Sequence, residues 1–98
     1  MDIGDLMDNV SELTDYEFEK RLNRLVHDNY RYRNLDSKNR EIVLDLVKKY
    51  KRYLRKGIGI SYTNIKNEGY KLYKNRLKLD LTEEDIKDIK EILGMFRK

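Results

Sequence analysis

The 98-residue chain has no cysteine, no proline and no tryptophan. Without thiols it can form neither a disulfide nor a thiolate zinc site, which suits a reducing interior. A single histidine, His27, leaves no imidazole pair for a metal centre. With no Ser or Cys nucleophile motif beside it, His27 reads as a boundary side chain and not as a base. Glycine is scarce too: Gly57 and Gly59 lack the longer pattern of a phosphate loop, and Asp2, Asp5 and Asp8 step by three without the glycine and closing Glu of a calcium loop. The segment from Met1 to Val10 is acidic, so it has neither the basic nor the apolar part of a signal peptide. No apolar run approaches the roughly 20 residues of a membrane span. These absences predict no catalytic residue, no cofactor, no metal, no membrane and a cytoplasmic location.

What is present is charge and enough apolar residue to bury. Charged residues make up 41% and hydrophobic ones 39%, the latter too many for an obligately disordered chain. One domain spanning 1–98 is expected, large enough to fold on one core without staples. The abundance of Lys, Asn, Ile and Tyr fits a low-GC bacterial or phage-type coding bias.

The charge is sorted along the chain. Residues 1–19 carry seven acids and no base, whereas residues 31–57 carry ten bases against three acids, so the net +4 conceals a local −7 beside a local +7. A block of one sign attracts polyanions or oppositely charged proteins.

A helix-start device occurs three times: a hydrophobe, a Ser or Thr cap, and a second hydrophobe four positions after the cap, as in Leu13, Thr14, Phe18; Ile60, Ser61, Ile65; and Leu81, Thr82, Ile86. Glu17 completes a capping box in the first, and Asp85 is a shorter substitute in the third. With the apolar periodicity, these signals predict an all-α fold: a small bundle of four main helices at about 15–30, 37–56, 62–77 and 83–96. Ile3, Leu6, Met7 and Val10 have the spacing of a further short N-terminal helix. Gly57 offers a left-handed stop for the second main helix, and Gly69 a place where the third can cross a neighbour closely. The alternation of Leu77, Leu79 and Leu81 reads as an extended connector, since a lone strand has no partner here.

The basic block supplies the candidate site. Lys48, Lys49, Lys51, Arg52, Arg55 and Lys56 fall on the polar side of the second helix, preceded by Arg31, Arg33, Lys38 and Arg40. Such a cluster can neutralise phosphates, and Tyr30 and Tyr32 between the arginines can stack on unpaired bases. The order helix, glycine-containing bend, helix also has the outline of a helix-turn-helix, in which Tyr62, Thr63, Asn64, Lys66 and Asn67 would meet a major groove; a plain helical hairpin accounts for the same order. The expectation is a non-enzymatic nucleic-acid-binding protein, DNA or RNA, of the phage or mobile-element regulator kind. The alternative is a helical protein-interaction module that inhibits or adapts a larger host protein through an acidic protein surface, for which Tyr and Arg serve equally. A homodimer, with the acidic N-terminus of one chain on the basic helix of another, is a further option.

Overall fold

Side-chain caps set most of the helix starts in the computed structural model, which describes residues 1–97 and leaves Lys98 outside the described residues. Asp2 and Asp5 cap each other's backbone N–H at the head of α1 (Ile3–Met7), and Thr14 and Glu17 do the same for α2 (Asp15–Asp28). After α3 (Arg40–Arg55), Ser61 and Asn64 open α4 (Tyr62–Lys74). The short α5 (Arg76–Leu79) follows Asn75, and Thr82 with Asp85 opens α6 (Glu83–Gly94). Two 3-10 segments, Val10–Glu12 and Tyr30–Asp36, complete an all-α fold with no strand among the described residues.

The helices predicted over 62–77 and 83–96 end at Lys74 and Gly94, and three further departures from the sequence reading have a visible local cause. The helix predicted over 15–30 ends at Asp28, because Asn29 turns extended and the chain continues as a 3-10 segment. The helix predicted from 37 begins at Arg40, because neither Asp36 nor Ser37 caps it. Ser37 Oγ donates back to the Arg33 carbonyl at 3.0 Å, while Asp36 accepts from Asn23 at 3.1 Å and pairs with Arg40 at 3.5 Å. The connector at 77–81 is not extended. The helix resumes through Leu79 and stops at Asp80, whose φ of 56° is left-handed. There the Leu81 N–H donates to the Arg76 carbonyl and the Asp80 N–H to that of Leu77, a Schellman closure that alternating leucines do not announce. The expected stop at Gly57, φ 74°, closes in the same way, with Ile58 N–H on Tyr53 and Gly57 N–H on Leu54.

One hydrophobic cluster runs through the whole fold. All six apolar residues of the three start devices are buried in it, so each clip also ties a helix start to the core. Leu6, Leu22, Leu25 and Leu93 are fully enclosed, each worth about 1.5–3 kcal/mol of transfer free energy. Ile3, Leu6, Met7 and Val10 are buried as well, so the acidic N-terminus is an amphipathic core element and not a free arm. Gly69 is buried facing α6, and a Cβ there would stand 2.6 Å from the Lys90 side chain that lies across it.

Replacing Thr14, Ser61 or Thr82 singly by Ala should cost about 1 kcal/mol each in urea denaturation. The loss should be largest for Thr82→Ala, because the N–H that donates to its hydroxyl belongs to the buried Asp85, whereas Glu17 and Asn64 are exposed. Three indistinguishable midpoints matching the parent would show that the clips alone define the starts.

Candidate nucleic-acid interface

The basic block does not stand free. Arg31 reaches across to α6, pairing with Glu84 and Asp88 at 3.1 Å each and lying over the Tyr32 ring. Tyr32 is itself buried, so it offers no face to a base. Lys38 sits 3.8 Å from Asp80 and 3.9 Å from Asp85. Arg40 is held between Glu19 and Asp36, Lys48 meets Asp15 at 3.5 Å, and Lys49 pairs with the buried Glu68 at 2.9 Å, joining α3 to α4. Lys51, expected on the outer face, is 4% exposed and donates to the Leu13 carbonyl at the head of α2. Only Asp15 and Glu19 of the seven N-terminal acids form ion pairs with the block, within the same chain; the other carboxylates that neutralise it lie at Asp36, Glu68 and 80–88.

Arg33, Arg52, Arg55, Lys56 and Lys66 remain exposed and make no ion pair among the described residues. Arg33 covers the exposed ring of Tyr30. Arg52 and Arg55 line a groove of about 450 Å³ with Lys48, Lys51, Leu13, Thr14 and Asp15. Four cations face one carboxylate there. The capping box takes the N–H groups of Thr14 and Glu17 at the head of α2, and the groove's positive charge is that of its Lys and Arg side chains.

The start of α4 departs from the base-reading arrangement in one respect. Asn64 Oδ1 accepts from both the N–H and the hydroxyl of Ser61, at 2.9 and 2.8 Å, so this side chain serves the cap. Asn in the third position of a box escaped the sequence reading because Glu and Gln are its usual occupants. Tyr62, Thr63, Lys66 and Asn67 are exposed.

The polar cluster beneath Arg31 and Lys38 has unusual acid–base behaviour. Burial pushes the Asp88 carboxyl up to about 6, against the pull of Arg31 and with the help of Glu84, Glu91 and Asp85. Burial acts the same way on Asp85, but hydrogen bonds from the Thr82 N–H and the Asn34 amide outweigh it and hold that carboxyl below its ordinary value. Asn39, next to this cluster in sequence, is fully buried, and its side chain also helps to hold the Asp85 carboxyl down. No group of three or more His, Cys, Asp or Glu among the described residues is placed to hold a metal ion, and no helix among them is long and apolar enough to cross a membrane. Comparisons with protein-family models, curated proteins and solved structures find no match.

The folded protein keeps the Asp88 proton to higher pH than the unfolded chain, so this group's contribution to stability falls as pH rises from about 4 through about 6. Asp88→Asn keeps the shape and removes the titration. Between pH 4 and 7 the parent should therefore lose stability relative to D88N, by about 1.4 kcal/mol for each unit of displacement. Urea midpoints read across that window test it; parallel profiles would mean that Asp88 titrates as an ordinary carboxyl.

Proposed function

We propose that the protein is a non-enzymatic nucleic-acid-binding protein that grips phosphates with the cations its own carboxylates leave free. The observation that carries this reading is the groove at the C-terminal half of α3, where Lys48, Lys51, Arg52 and Arg55 surround a space bordered by one acid, Asp15. The Lys48–Asp15 pair is exposed on both sides; such pairs are worth about 0–1 kcal/mol and yield readily to a phosphate. Arg52 and Arg55 give forked donors matched to phosphate oxygens. Arg33, Lys56 and Lys66 extend the positive field. Residues 31, 38, 40 and 49, committed to carboxylates, contribute to that field much less than their number suggests.

Replacing Arg52, Arg55 and Lys56 together by Ser tests the reading without disturbing the core, since all three are exposed. Lys51 is left in place because it satisfies the Leu13 carbonyl. Titrations against duplex DNA, single-stranded DNA and RNA at several salt concentrations should show weaker binding, and a log–log salt slope flatter by about 0.7–0.9 for each phosphate that the variant no longer neutralises. Parent-like affinity and slope in the triple variant would overturn the proposal and leave an acidic protein surface as the groove's partner.

A further inference from the structure

The outward face of α4 and α5 continues the positive surface and adds aromatic rings to it. Between residues 62 and 79 the chain carries five cations, Lys66, Lys71, Lys74, Arg76 and Lys78, against one acid, Glu68. That acid is buried and paired with Lys49. The exposed side of this stretch is thus positive without a compensating charge of its own.

Seven of the chain's eight tyrosines are used in one of two ways. Tyr50 packs in the core against Tyr53 and Phe96. Tyr16, Tyr30, Tyr32, Tyr53, Tyr62 and Tyr73 each carry a Lys or Arg of the same chain over the ring. Tyr70 alone has neither an aromatic nor a cationic partner among the described residues, and it is 65% exposed. It borders a shallow concavity of about 540 Å³ whose other walls are Asn67, Lys71, Lys74 and Asn75. Tyr70 and Lys71 stand three and four residues after Asn67, and four and three before Lys74, which on a helix is one face. Asn67 and Asn75 are both exposed, but the Asn75 amide already donates to the Lys71 carbonyl at 2.9 Å.

A bare ring, flanking ammonium groups and an exposed amide together suit a nucleotide with an unpaired base. The π-face stacks on the ring, the backbone lies along the cations, and the amide can donate to or accept from the base edge. A duplex cannot use the ring, because its base faces are closed within the stack. An acidic peptide would use the lysines and leave Tyr70 idle.

We infer that Tyr70 is a stacking platform for one unpaired base of a single-stranded nucleic acid, with Lys71 and Lys74 on the adjoining phosphates and the Asn67 amide at the base edge. This rests on the nucleic-acid reading above and adds the strand type. Tyr70 is exposed, so its replacement should leave stability unchanged, which thermal melting verifies.

The test compares the full chain with Tyr70→Ser and Tyr70→Phe by fluorescence anisotropy, using labelled single-stranded DNA and RNA and the matching duplex. Y70S should bind single strands roughly 5- to 150-fold more weakly, the range expected when one base no longer stacks. Its salt slope should be unchanged because no charge is removed, Y70F should bind like the parent, and duplex affinity should stay within about twofold. Parent-like single-strand binding by Y70S, or equal losses on single strands and duplex, would overturn the stacking role while the phosphate-binding reading stands. If the parent chain binds neither form, both readings fall together.

Discussion

The burial of two carboxylates on α6 is the constraint from which the rest of the surface follows. Asp85 and Asp88 are almost fully enclosed, and a buried charge is tolerated only when it is paired or hydrogen-bonded. The partners come from the segment between α2 and α3: Asn34 on Asp85, Arg31 on Asp88, and Lys38 near Asp85. That requirement holds residues 30–39 against α6 in place of continuing α2, and it withdraws Arg31 and Lys38 from the solvent-facing charge. Asp88 is the costly member, with its carboxyl pushed up to about 6 despite Arg31. A fold that accepts this penalty gains an orientation for a stretch with little apolar residue of its own, Tyr32 and Leu35 being its buried anchors.

Neutralisation within the chain also decides where a polyanion can act. Lys49 is tied to Glu68, which lowers the charge of α3 but fixes α4 beside it; Glu68 is buried whereas Lys49 is partly exposed, so the pair belongs more to the packing of the two helices than to the surface. The cations left over fall at the C-terminal end of α3, where they also suit the negative end of the helix dipole. Arg52, Arg55 and Lys56 therefore stabilise the helix that presents them, and a phosphate bound there meets side chains on a preordered element and not on a loop. The same logic covers α4, with Lys71 and Lys74 in its last turn.

Much of this was legible in the residues. The caps at Thr14, Ser61 and Thr82, the left-handed stop at Gly57 and the all-α class follow from local chemistry acting over one turn, and the structure has each of them. The segment at 30–39 and the resumed helix at 76–79 were not legible, because they depend on long-range partners or on a bare left-handed Asp80 that propensity does not mark. Lys51 shows the same limit at a single residue: its place on the polar side of α3 predicts solvent, but the start of α2 covers it. Charge counted along a sequence cannot separate cations that face solvent from those that face acids fifty residues away, as Arg31 faces Asp88. Tyr70 was overlooked for the converse reason, since an exposed tyrosine becomes informative only when every other ring is seen to be covered.

The two proposed surfaces differ in what they can discriminate. A groove of Lys and Arg side chains reads charge and spacing, so on its own it would bind any polyanion with an affinity set by salt. A bare aromatic ring reads an accessible base face, which phosphate groups and carboxylates do not supply. Combined on consecutive helices, α3 and α4, joined by the Lys49–Glu68 pair and by a bend closed at Gly57, the two proposed surfaces would divide the work, the first drawing the backbone in and the second favouring strands whose bases are free. Because the charge that remains is modest, attraction alone would be weak at physiological salt, where exposed charges are screened over about 8 Å. Stacking is far less sensitive to salt, so its share of the binding free energy should grow as ionic strength rises. The factor by which the ring favours single strands should therefore persist as salt rises and total affinity declines.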